Sequence, residues 1–273
     1  MQVVLLAGGI GSRIAEESAL RPKPMIEIGG RPILWHIMKI YSSYGFRDFI
    51  ICLGYKGYMI KEYFTNFFLH RSDVTIDTAS NKVTYHQTTA EPWRVTLVDT
   101  GEQTLTGGRL LRARRFITSE TFCLSYGDGL ADLDVQACVA FHHARGKLAT
   151  LTAVIPPGRY GAVDLDGDLV RRFVEKPPGD QGYINGGFFV LNQGVIDRVT
   201  DDATAWEGSP LESLALEGEL CAYRHRGFWH AMDTLRDRNY LEDLWVSGNA
   251  PWKIWKESGE SRVLTLSVSD RRA

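Results

Sequence analysis

No stretch of the 273-residue chain approaches the roughly 18 consecutive apolar residues that a membrane-spanning helix requires. Excess charge of either sign is also missing: 31 Lys and Arg stand against 33 Asp and Glu, a net −2. Wrapping a nucleic acid or holding an anionic bilayer needs a surplus of positive charge, so neither a nucleic-acid nor a membrane partner is expected. Cysteine is sparse. Cys52, Cys123, Cys138 and Cys221 lie far apart with no C-x-x-C pair, which removes zinc ribbons and dithiol redox motifs. Buried thiols in a reducing, cytoplasmic setting are the expectation. The opening Met1–Gly9 has no basic leader region and reads as a buried strand rather than a secretory signal. Internal repeats, low-complexity tracts and Pro/Gly/Ser-rich linkers are absent as well, which leaves one continuous domain as the economical reading.

What is present alternates. Apolar runs at Val3–Ala7, Phe49–Leu53, Val95–Val98 and Phe122–Ser125 are the length of buried strands. Between them, helical patterns start at Pro32 and run to Gly45, and cover Tyr58–Phe68. Val74–Asp77 and Val83–His86 flank Ala79-Ser80-Asn81 as a hairpin. Strands interleaved with helices predict an α/β fold, with a Rossmann-like, mixed but mainly parallel central sheet flanked by helices. The second half is richer in strands, at Thr150–Val154, Ala162–Asp164, Val170–Val174 and Gly187–Leu191, with helices over Pro210–Glu217 and Thr234–Trp245. Boundaries follow: a single domain over 1–256 that divides near residue 130, with the more strand-rich half over 131–256, and a polar tail 257–273 expected to be loosely held.

Five short segments carry chemistry. Leu6-Ala7-Gly8-Gly9-Ile10-Gly11-Ser12-Arg13 follows the first strand, and its glycines let backbone N–H groups approach a phosphate. It fits neither the dinucleotide fingerprint nor the P-loop. Arg13 and, ten residues on, Lys23 between Pro22 and Pro24 add two cations to that loop, which points to a polyphosphate. Tyr126-Gly127-Asp128-Gly129 closes a strand, where an open α/β sheet binds its ligands and an Asp can hold a divalent cation. Alone, it reads equally well as a turn. Glu175-Lys176-Pro177, Asn185-Gly186-Gly187 and Met232-Asp233-Thr234 are each ordinary by themselves, as a strand end, a hairpin turn and a helix cap.

Together these segments resemble the sugar-nucleotide-forming nucleotidyltransferases, whose signature is L-A-G-G-x-G-T/S-R followed by P-K-P. Longer stretches, among them Lys23–Gly30, Pro32–Met38, Val95–Gly101, Ile184–Phe189 and Met232–Asp237, are similar to the cytidylyltransferases of that group that act on glucose 1-phosphate. The resemblance runs from residue 1 to about Trp255, and it implies a nucleotide-binding half to about residue 130 and, over 131–256, a sugar-phosphate-binding and oligomerisation half with a small β-rich sugar-binding portion. It implies that CTP and glucose 1-phosphate are the substrates, with Mg²⁺ held by Asp128 and Asp233. It further implies that Leu6, Ala7, Gly8, Gly9, Gly11, Ser12, Arg13 and Lys23 hold the CTP phosphates. Thr106, Gly107 and Arg109 would read the base, with Arg109 offering a donor to cytosine. Tyr126, Gly127, Glu175, Lys176, Asn185 and Gly186 would face the sugar phosphate. Relatives assemble, commonly as hexamers, so a homo-oligomer is expected. Two alternatives stay open at this stage: a sister enzyme using UTP or dTTP, and a non-catalytic nucleotide-binding module.

Overall fold

The computed structural model describes residues 1–156, 162–166, 169–174, 182–255 and 262–263. Its centre is a seven-stranded sheet. Taken from one edge, the strands are Leu220–Arg224, Ala149–Val154, Ile184–Asn192, Thr121–Tyr126, Val3–Leu6, Asp48–Leu53 and Arg94–Asp99. All neighbours are parallel except Ile184–Asn192, which runs against both of its partners. The mixed, mainly parallel sheet read from the alternation is therefore present.

Side chains alternate across a strand, and here both faces are covered. Val3 and Leu5 point into one cluster with Ile33, Ile37, Phe49 and Ile51, beneath the helices Ile33–Ser43 and Val135–Arg145. Val4 and Leu6 point the other way, onto Leu110, Ala113, Trp206 and Leu214 of the helices Thr106–Ala113 and Ser209–Leu216 and the loop between them. Cys52, Cys123 and Cys138 are buried thiols, as expected, and Cys221 is half-buried.

Three differences from the sequence reading matter. Val135–Arg145 is a helix, capped by the Asp134 side chain on the Ala137 N–H at 2.9 Å, that its mixed pattern of apolar and polar residues did not announce. Leu220–Arg224 is an edge strand of the main sheet. Two short strands, Gly129–Ala131 and Trp229–Ala231, pair antiparallel and tie the end of the fourth parallel strand to the start of the last helix, Leu235–Val246. Of the tail, only 262–263 is described, and it pairs with the second strand of the hairpin Ser72–Asp77 / Lys82–Thr88.

Candidate active site

Leu6 and Tyr126 are register partners in adjacent parallel strands, so both strands release their chains at the same edge of the sheet. The glycine loop leaves one and Gly127-Asp128 leaves the other, as the carboxyl-edge rule for open α/β sheets requires. Between them lies a cavity of about 430 Å³, walled by the loop, Lys23, Asp128, Thr104–Thr106 and Glu207. Close approach dictates two of the glycines. A Cβ on Gly8 would stand 2.0 Å from the Arg109 guanidinium, and one on Gly127 3.0 Å from the Leu6 carbonyl oxygen. Gly11 sits at φ +70°, a left-handed conformation that side chains resist.

The charged centre joins three distant segments. Lys23 Nζ donates to Asp128 Oδ2 at 2.6 Å and to Asp233 Oδ1 at 2.8 Å, and Arg13 donates to Asp233 Oδ2 at 2.7 Å. Burial of Lys23 opposes its charge, yet the adjacent Asp128 and Asp233 carboxylates prevail and its pKa lies above 10.5, so it remains an ammonium. Asp233 arrives here through the short strand pair: Ala231 faces Gly129, and the Met232 N–H donates to the Asp128 carbonyl at 2.9 Å. The next residues start a helix with a capping box, in which Asp237 accepts from the backbone N–H groups of Asp233 at 3.1 Å and Thr234 at 2.8 Å. Asp237 thus fixes the backbone that aims Asp233. Sequence reading overlooked it, although Thr-x-x-Asp ahead of a helical stretch was its signal.

A second cavity of about 230 Å³ adjoins the first and shares Arg13, Tyr126 and Asp128 with it. Asn185, Gly186 and Trp229 also line it, and Trp229 Nε1 donates to the Gly186 carbonyl at 2.8 Å. Gly187, at φ +80°, lets the chain pass the Tyr126 ring, which a Cβ would approach to 2.5 Å. Asn185 Nδ2 donates to the Tyr126 hydroxyl at 3.3 Å, so residues expected to meet the sugar phosphate share one wall. Glu175 and Lys176 lie outside the described residues, as does the side chain of Ser12.

Arg109 departs from expectation. Rather than pointing a donor at a base, its guanidinium is buried beneath the loop. Nη1 donates to the carbonyls of Leu53 and Gly101 and to the Thr100 hydroxyl, and Nη2 to the carbonyls of Gly8 and Glu102, at 2.8–3.1 Å. Burial lowers its pKa, and five acceptors hold it in place. Its geometry is that of a fastener for the glycine loop. Glu207, by contrast, had no sequence signal and reaches the cavity wall, where its carboxylate accepts from the hydroxyls of Tyr126 and Thr106, each at 2.5 Å.

Residues 2–227 match the nucleotidyl transferase family. The chain belongs to that family. It is 60% identical over 257 residues to the glucose-1-phosphate cytidylyltransferase of Salmonella typhi, an alignment covering 94% of this chain and all of the relative. A Bacillus subtilis (strain 168) protein named "Probable glucose-1-phosphate cytidylyltransferase" is 43% identical, with 93% and 100% covered. Among solved structures, a UDP-glucose pyrophosphorylase complexed with UDP-glucose superposes with a TM-score of 0.65 at 14% identity, covering 90% of this chain and 98% of that one, and shows the shared fold. For a nucleotidyl transferase, the paired cavities meeting at Arg13 and Asp128 are the expected place for two phosphorylated substrates.

Proposed function

We propose that this chain is a glucose-1-phosphate cytidylyltransferase: it joins CTP to glucose 1-phosphate and releases CDP-glucose and pyrophosphate. The observation that carries this reading is the 60% identity to a relative of that activity across 94% of the chain, with Arg13, Lys23, Asp128 and Asp233 converging where the cavities meet. The larger cavity takes CTP, with Leu6, Ala7, Gly8, Gly9, Gly11, Ser12, Arg13 and Lys23 about its phosphates and Thr106 and Gly107 beside its nucleoside. The smaller one takes glucose 1-phosphate against Tyr126, Asn185 and Gly186, with Gly127 meeting it from the larger cavity, and Glu175 and Lys176 are assigned to the same substrate by the resemblance alone.

The residues fit a divalent cation. Two carboxylates from segments about a hundred residues apart already face one positive charge, the Lys23 ammonium, and hard oxygen donors suit Mg²⁺. When bound by Asp128 and Asp233, the ion would neutralise charge developing on the phosphates. The attacking group, the sugar phosphate, is already anionic, so this site needs no strong general base. Positioning and charge carry the chemistry. The loop amides and Lys23 orient the triphosphate, and Arg13, at the open rim with 72% of its side chain exposed, faces the departing pyrophosphate.

Among the described residues no helix is long and apolar enough to cross a membrane. A cytoplasmic setting and a homo-oligomer, with a hexamer as the expected form, complete the proposal. The testing experiment is a matrix of CTP, UTP, dTTP and GTP against several sugar 1-phosphates, read by pyrophosphate release. Turnover highest with CTP and glucose 1-phosphate is expected. A preference for UTP or dTTP would overturn the reading.

A further inference from the structure

We infer that Glu207 is the base-reading residue of this site, accepting a hydrogen bond from the exocyclic 4-amino group of cytosine. The inference rests on the CTP reading above. It begins with which end of the larger cavity takes which part of a nucleotide. Arg13 and Lys23 are joined to each other through Asp233, whereas Glu207 is joined to Tyr126 and Thr106. A triphosphate settles against cations and avoids a bare carboxylate, which leaves the nucleoside to the wall formed by Thr104–Thr106 and Glu207. The other charged group of that wall, Arg109, is occupied inward.

The carboxylate is held as a pure acceptor. Tyr126 receives a hydrogen bond from Asn185 Nδ2, which directs its own O–H to Glu207 Oε1. Thr106 Oγ1 receives the Trp206 backbone N–H at 2.9 Å, which turns its O–H to Glu207 Oε2. Each carboxylate oxygen has a second lone pair, so one acceptor site per oxygen is left for a ligand. On the pairing edge of cytosine, O2 and N3 are acceptors and the 4-amino group is the donor, so a fixed acceptor can pair with cytosine there alone. Uracil and thymine present O4 at that position, and two acceptors repel.

The glycines of helix Thr106–Ala113 explain how Glu207 gets there. A Cβ on Gly107 would lie 2.7 Å from the Thr204 carbonyl oxygen, and one on Gly108 2.6 Å from Asp202 Cα. Their absence lets the segment 201–206 lie against the helix, pinned by Leu105 N–H on the Asp202 carbonyl at 2.8 Å and by the buried Trp206. Glu207 follows directly and is delivered to the wall.

The test compares wild type, Glu207→Gln and Glu207→Ala by kcat/KM for CTP, UTP and 2′-deoxy-CTP, with folding checked by circular dichroism and thermal melting. A Gln amide can rotate to accept from cytosine or donate to uracil O4. The CTP-over-UTP ratio should therefore fall by about 10- to 100-fold in Glu207→Gln, while KM for glucose 1-phosphate stays within about twofold of wild type. Should Glu207→Gln fail to fold, the same ratio is read from binding of CTP and UTP to Glu207→Ala. An unchanged ratio in folded protein overturns the inference. So does a shift confined to the CTP versus 2′-deoxy-CTP ratio, which would assign Glu207 to the ribose, or one confined to KM for the sugar phosphate, which would assign it to support of Tyr126. Failure of the wild type to use CTP would instead overturn the underlying activity.

Discussion

Lys23 shows why single residues at this site cannot be read alone. It is a nearly buried ammonium kept charged by two carboxylates, and those carboxylates are kept together by it. Removing charge on either side should act on chemistry before it acts on folding. In Asp233→Asn the amide oxygen can still accept from Lys23 or Arg13, so the melting temperature should change little. Turnover should fall at least about 100-fold, because a neutral ligand no longer anchors a divalent cation. Pyrophosphate release and calorimetry measure the two, and near-normal turnover would refute the paired-carboxylate assignment. Arg109 is the opposite case. Arg109→Met would remove five hydrogen bonds at once; the Leu53 and Gly8 carbonyls keep donors from Thr100 and Tyr55, but the Gly101 and Glu102 carbonyls and the Thr100 hydroxyl lose theirs, at a cost of roughly 3 kcal/mol in stability. Denaturant melts would register that loss, and a variant as stable as wild type would contradict the fastener role.

Helix Ile33–Ser43 shows what an element adds. It buries Ile33, Leu34, Trp35, Ile37, Met38, Ile40 and Tyr41, more than the one face that a 3.6-residue period predicts, and it buries His36 too. His36 Nε2 donates to the Ile28 carbonyl at 2.8 Å and Nδ1 accepts from Trp252 Nε1 at 3.3 Å, which fixes the neutral tautomer. Trp35, Trp245 and Trp255 surround it. Burial lowers its pKa from 6.5 to about 4. Protonation is therefore disfavoured in the folded state, and the stability this supplies is complete above pH 6.5 and drains away as pH falls towards 4. Between pH 6.5 and 5 the loss should be about 2 kcal/mol. His142, lowered by burial as well, adds in the same direction. Urea titrations of wild type and His36→Gln at pH 7 and pH 5 isolate the contribution. Equal pH dependence in the two would show that His36 is not its source.

On the scale of the whole molecule, the site is assembled from residues 6–23, 104–128, 185–187, 207 and 231–233, drawn from both halves of the chain. A site built this way should make 1–256 one cooperative unit. CTP with Mg²⁺ at about 100 times its Kd should raise a single melting transition by about 5 °C. Two transitions, with one of them unmoved, would divide the domain. The glycine loop and Lys23 stood out beforehand as a compact local motif, Asp128 and Asp233 only through the resemblance of the segments taken together, and the main strands were legible because buried parallel strands are continuous apolar runs. The helix Val135–Arg145 was not, since its pattern is mixed, with His142 and Cys138 both turned inward. The sequence alone determined the chemistry on offer: a phosphate-binding loop, two cations and two carboxylates on an alternating α/β chain. Tertiary structure decided where each was spent. The pairing of Gly129–Ala131 with Trp229–Ala231 put Asp233 beside Asp128, the closeness of Gly8 turned Arg109 inward, and the contact of Gly107 and Gly108 with 201–206 carried Glu207 to the cavity. These outcomes depend on contacts between segments as much as a hundred residues apart, and local propensity carries no information about such distances.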